Sequence, residues 1–204
     1  EGRAAAPDHD PEGGAEVSER AEAIERNNPS AEFLYANKWR IFGVMMIGWA
    51  MSMLDISIVN ISIPELEDQM STNVATVSWV INAYNIVFAV LLVSMGRLAD
   101  QFGRKKFFII GLTIFTIGSA LCAAAWSVEW LIGFRVIQGI GAGILAPLGF
   151  AMTVLVFPPQ QRGFGLALIA VVALVSAATG PVIGGVLIEI ASWHWIFLIN
   201  IPFG

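Results

Sequence analysis

Two ionisable residues stand where an apolar chain has no ordinary use for charge. Asp55 lies inside the otherwise uncharged stretch 41–63, and Arg135 precedes a run, 136–161, that carries no charge at all. Asp55 falls fourteen residues past Ile41, about 21 Å along a helix. Arg135 lies on a later helix running the other way, about 6–8 Å in from the end marked by Trp130. In a hydrocarbon core ~30 Å thick, both then sit in the same half at nearly the same depth. An acid and a base at matched depth offset each other's desolvation, whereas either alone would be costly. Such an acid can change protonation as its surroundings wet and dry, because burial disfavours its charge and a nearby cation favours it. A static ion pair, or an Arg that snorkels to the surface, is the plainer alternative. Polar residues at helical spacing suggest a lined cavity: Ser52 one turn before Asp55, Ser78, Asn82 and Asn85 on another helix, and Gln138 one turn past Arg135. The competing reading of that stripe is hydrogen bonding between helices.

The elements that must hold these groups follow from where charge is missing. The chain has 204 residues, 56% hydrophobic and only 13% charged, against about 25% charged in an average soluble domain. No charge occurs within 69–96, 107–128, 136–161 or 163–188, and each run exceeds the ~20 residues that cross a bilayer. Backbone groups find no water there, so the runs must be helical. The expected fold is an all-α membrane protein with five spanning helices, near 41–63, 77–95, 107–126, 130–155 and 164–189, and a sixth beginning at Trp195. Lys38, Arg40, Arg97, Arg104, Lys105, Lys106 and Arg162 fall in alternate connections, so the amino terminus and the 97–106 loop are expected in the cytoplasm. Trp126, Trp130, Trp193 and Trp195 are expected as interfacial anchors at the opposite ends. Residues 1–37 hold 9 acids and 3 bases, so the formal net charge of −5 belongs to them. With few large apolar groups, 1–37 reads as a disordered acidic tail, and 38–204 as the membrane domain.

Two further features bear on movement. The segment 96–106 places Asp100 four residues before Arg104, one helical turn apart, with glycines at 96 and 103, and reads as an ion-pair latch between neighbouring helices. Small residues form seams at Gln138, Gly139, Ala142, Gly143 and Ala146, and again at Ser176, Ala177, Gly180 and Gly184. Pro181 lies in the second seam and removes the donor that would have bonded the Ala177 carbonyl, which predicts a kink. Seams beside a kink and buried charges suggest helices that rock against each other. The lone Cys122 excludes an intrachain disulfide and suits packing. No metal-ligand cluster, phosphate loop or nucleophile–base pair is visible, so neither an enzyme nor an organic cofactor is expected, and nothing points to nucleic acid.

The run G-R-L-A-D-Q-F-G-R-K-K at 96–106 resembles the signature loop of the major facilitator superfamily. L-D-I-S-I-V-N-I-S-I-P at 54–64, L-I-G-F-R-V-I-Q-G-I-G-A-G at 131–143, S-A-A-T-G-P-V-I-G-G at 176–185 and S-W-H-W-I-F-L-I-N-I-P-F-G at 192–204 resemble motifs of its fourteen-helix drug:proton antiporter branch. His194 stands where an Arg is frequent, and Ile56-Ser57 where a Thr-containing pair is usual. The resemblance implies that Asp55 and Arg135 take part in a proton relay. It also implies that Gly96, Asp100, Gly103 and Arg104 form a gate latch, and that Gly180, Pro181, Gly184 and Gly185 form the antiporter motif. It implies proton-coupled export of amphipathic small molecules from the cell membrane by alternating access, with the proton gradient as energy source. The partners are then substrate, protons, the bilayer and a second half, because a complete transporter of this kind needs two related halves; the chain is expected to be the amino-terminal part of a longer protein. A proton-coupled importer of a small metabolite is the alternative, and a non-transporting membrane scaffold a more distant one.

Overall fold

The computed structural model describes residues 29–204. Residues 1–28, most of the expected acidic tail, lie outside the described residues. The described residues form helices joined by short connections, with no strand among them. They are α1 (Pro29–Ala36), α2 (Lys38–Ile61), α3 (Ile63–Gln69), α4 (Val74–Phe102), α5 (Arg104–Ala123), α6 (Val128–Val156), α7 (Arg162–Ile190) and α8 (His194–Leu198), with single 3-10 turns at Pro159–Gln161 and Ile201–Phe203. The end of the segment expected to be disordered is therefore helical at Pro29–Ala36. Pro29 and Glu32 occupy the first turn, where a missing N–H is harmless and an acid favours the helix dipole.

Among the described residues five helices are long and apolar enough to cross a membrane: α2, α4, α5, α6, and α7 together with the turn before it. They match the five expected spans, with ends displaced for local reasons. Asn73 caps α4 by accepting the Thr76 N–H at 3.0 Å, which starts the helix at Val74, ahead of the expected span. At its far end α4 continues seven residues past the expected limit, because helical backbone does not stop where charge begins. It stops at Gly103, whose φ of +103° suits glycine. Gly96 is thus interior to α4 and makes no bend. α6 ends at Phe157, which is extended (ψ 134°) as required before Pro158.

α6 is the axis of the bundle. It packs most extensively against α4 and α5, and it also contacts α2 and α7, while α7 leans chiefly on α2. Glycines permit the closest approaches. A Cβ on Gly139 would lie 3.0 Å from the Tyr84 carbonyl oxygen, and one on Gly143 would lie 2.8 Å from Leu91 Cβ, so this expected seam faces α4. A second contact was not expected. A Cβ on Gly118 of α5 would lie 2.7 Å from Gln138 Cα and N, and Gly141 meets Gly111 and Phe115 as closely, so α5 and α6 touch backbone to backbone. Trp126 and Trp130 are exposed and adjacent, as interfacial anchors should be, and Trp195 is half exposed. Trp193 is instead buried and donates Nε1–H to Gln69 Oε1 at 3.1 Å, tying the start of α8 to α3.

Candidate functional site

Asp55 and Arg135 meet. Both are 1% exposed, and Arg135 Nη1 donates to Asp55 Oδ2 in a direct ion pair. Asp55 lies seventeen residues along α2 from Lys38, and Arg135 seven along the antiparallel α6 from Val128. Arg135 makes two further bonds, from Nε–H to the Val80 carbonyl at 3.1 Å and from Nη1 to Gln138 Oε1 at 2.8 Å. The guanidinium lies 4.1 Å over the Tyr84 ring and 5.8 Å from that of Phe197, so cation–π attraction adds to the pairing. The other carboxylate oxygen, Oδ1, accepts from Gln138 Nε2 at 2.8 Å and from Asn200 Nδ2 at 3.4 Å. Gln138 also donates to Ser119 Oγ at 3.2 Å, and Cys122 Sγ faces Gln138 Oε1 at 3.5 Å. The result is a buried polar cluster built around the ion pair, in which both Asp55 oxygens accept hydrogen bonds.

The expected lining residues divide. Gln138 is a central member of the cluster. Ser52 is buried, but its hydroxyl bonds back to Gly48 O at 3.0 Å, and its carbonyl accepts Tyr84 OH at 3.4 Å. Ser78, Asn82 and Asn85 lie outside the cluster: Ser78 bonds back to Val74 O at 2.7 Å, and Asn82 is exposed. The face of α4 that reaches the cluster carries Val80, Ala83 and Tyr84. Spacing alone found a polar stripe but not which way it faces. Tyr84, Ser119, Cys122 and Asn200 were missed as members. Asn200 sits alone among apolar neighbours in the sequence, and a lone polar residue carries no periodicity to read.

The latch residues are joined as their spacing suggested. Asp100 and Arg104 pair at 2.7 Å across Gly103, and Arg104 Nη1 reaches the Ala151 carbonyl of α6 at 3.2 Å. Gly96 faces Pro147 of α6 at ordinary contact distance. In the antiporter motif, Pro181 lies inside an unbroken α7, and the Ala177 carbonyl it leaves without a helical donor accepts the Ser57 hydroxyl of α2 at 2.9 Å. The departure at Ser57 thus supplies the donor that Pro181 removes. Gly180 faces Ser57 so closely that any Cβ would collide with it, and a Cβ on Gly184 would lie 3.2–3.3 Å from Ile58. A Cβ on Gly185 would meet nothing within 4 Å. Among the described residues no group of three His, Cys, Asp or Glu could hold a metal.

Five helices of membrane-spanning length thus surround a buried Asp–Arg pair, with the Asp100–Arg104 ion pair at one end. The family profile of the Major Facilitator Superfamily matches residues 45–204, and the chain belongs to that superfamily. It is 41% identical over 166 residues to the methylenomycin A resistance protein of Bacillus subtilis, covering 79% of this chain and 35% of that protein. It is 36% identical over 167 residues to riboflavin transporter RibZ of Clostridioides difficile, covering 82% of this chain and 37% of that one. A bacterial homologue of the human lysosomal transporter Spinster, solved inward-facing and occupied, superimposes with a TM-score of 0.71 at 16% identity over 81% of this chain and 42% of its own. The chain spans about a third of the length of the curated relatives it matches.

Proposed function

We propose that the full-length protein exports amphipathic small molecules across the cytoplasmic membrane in exchange for protons, by alternating access. The observation that carries this reading is the Asp55–Arg135 pair, a buried acid and base held within the spanning helices. Such charges are rare in membrane spans and mark ion and proton pathways. A proton reaching Asp55 from outside cancels its charge, removes its attraction for Arg135 and biases the bundle toward the inward-facing state. Substrate then enters from the cytoplasm or the inner leaflet, and loss of the proton restores the pair. The Asp100–Arg104 latch and its bond to Ala151 brace the cytoplasmic ends of α4, α5 and α6, while Ser57, Gly180 and Pro181 set the α2–α7 contact. The cytoplasmic side is the one that gathers the bases. Lys38 of α2 donates to Gln161 Oε1 at 2.6 Å, so the ends bearing Lys38, Arg40 and Arg162 lie together, as the positive-inside rule asks. The drug-export reading is supported by kinship to a resistance protein. Kinship to a riboflavin transporter favours a second reading, proton-coupled carriage of a metabolite. The test is transport into vesicles by the full-length protein: Asp55→Asn abolishes pH-gradient-driven movement, and the direction of substrate flux separates the two readings. Normal gradient-driven transport by Asp55→Asn would overturn the proposal.

A further inference from the structure

Asn200 lies between α8 and the final turn Ile201–Phe203 and is 3% exposed. Its Nδ2 donates to Ser119 Oγ at 3.0 Å and reaches Asp55 Oδ1 at 3.4 Å. Ser119 donates its own hydroxyl to the Phe197 carbonyl of α8 at 2.8 Å. Two side chains therefore tie the segment 194–203 both to α5 and to the buried acid.

Among the described residues every hydrogen-bonding neighbour of the Asp55 carboxylate is a donor. Arg135 serves Oδ2, while Gln138 and Asn200 serve Oδ1. The Ser119 hydrogen is committed to Phe197, so its oxygen accepts from both amides. This cage suits a carboxylate and not a carboxylic acid, which carries a hydrogen of its own and needs an acceptor. When a proton from water adds to an Asp55 oxygen, hydrogen bonds must rearrange while no covalent bond of the protein breaks, and the same proton later leaves to water. Arg135 remains a cation throughout. Gln138 is held by Arg135 through Oε1 at 2.8 Å. Asn200 Nδ2 serves Ser119 and Asp55, and its bond to Asp55 is the longest around the carboxylate, so it is the amide that turns. The other titratable groups facing Asp55 are Tyr84 of α4 and Cys122 of α5. α7 carries charge only near its ends, at Arg162 and Glu189, and His194 of α8 is turned onto Trp193 and Ser192.

We propose that Asn200 and Ser119 are a positioning pair that holds the segment 194–203 on α5 while Asp55 is ionised and releases it when Asp55 takes a proton. The inference rests on the proton-coupling reading and adds the element that responds. The test uses the full-length protein in lipid nanodiscs, with spin labels on cysteines introduced by Ile117→Cys in α5 and Trp195→Cys in α8, both exposed positions. The label distance is expected to lengthen as pH falls, and Asp55→Asn, uncharged at every pH, holds the longer distance throughout. Asn200→Ala removes a donor that favours the ionised carboxylate and moves the pH of half-release upward by about 0.5–1 unit. Ser119→Ala, a smaller change in the same packing, moves it in the same direction, and Ser119→Thr, which restores a hydroxyl, brings it back. A distance independent of pH, or a midpoint unmoved in both Asn200→Ala and Ser119→Ala, overturns the inference. If Asp55→Asn also abolishes coupled transport, only the inference fails; if it does not, the proton-coupling reading fails with it.

Discussion

Gly118→Ala is the substitution for which the structure gives the clearest magnitude. The added Cβ would sit 2.7 Å from both Cα and N of Gln138, atoms of a helical backbone that cannot rotate away. Ordinary contact requires α5 and α6 to separate there by about 0.7 Å in a close-packed interior. Overpacking of this kind costs about 1–3 kcal/mol, while alanine's better helix propensity returns about 0.5–1 kcal/mol. The net expectation is a loss of about 1–2 kcal/mol, centred on the residue whose amide holds Asp55. Gly133→Ala is the control, since its Cβ meets nothing within 4 Å. Thermal unfolding of the detergent-solubilised full-length protein is expected to show a lower midpoint for Gly118→Ala, and an unchanged or higher one for Gly133→Ala. Gradient-driven transport should fall in the first and persist in the second. Equal behaviour of the two variants would refute the claim that α5 and α6 are in backbone contact beside the cluster.

Arg135→Ala leaves Asp55 buried without its cation and is expected to destabilise the protein by about 3–5 kcal/mol, read as a drop in unfolding midpoint; Arg135→Lys restores little of it, because one ammonium cannot reach Val80, Asp55 and Gln138 together. Gly180→Val drives a side chain into Ser57 and separates α7 from α2, whereas Gly185→Ala meets nothing; melting and transport should suffer in the first only. Ser57→Ala leaves the Ala177 carbonyl without its donor and should cost about 0.5–1.5 kcal/mol, with Ser57→Thr restoring stability. Asp100→Ala breaks an exposed ion pair worth about 0.2–1 kcal/mol, so its melting midpoint should barely move, and any loss of transport reports on gating rather than folding.

How much of this was legible beforehand depends on the length scale of the signal. The spans were plain, because a run of twenty uncharged residues has few other physical solutions. The Asp55–Arg135 pair was legible too, since residue counting along antiparallel helices places both at one depth. Helix ends were less so: α4 passes Gly96, Arg97 and Asp100 without interruption and stops at Gly103, a conformational stop rather than a hydropathic one. The facing of helices was least legible. Ser78, Asn82 and Asn85 share a side of α4, but the side that meets α6 is set by where Gly139 and Gly143 let the backbones approach. Asn200 could not have been placed at all, because its role depends on a short helix folding back onto Ser119, a contact between residues 81 positions apart.

The central claim is that Asp55 carries the exchanged proton. Its most direct measurement is proton release from the purified full-length protein in weakly buffered detergent solution when a transported substrate is added. The account predicts release that rises in step with substrate bound and is absent in Asp55→Asn, even where that variant still binds substrate. Undiminished release from Asp55→Asn would contradict it.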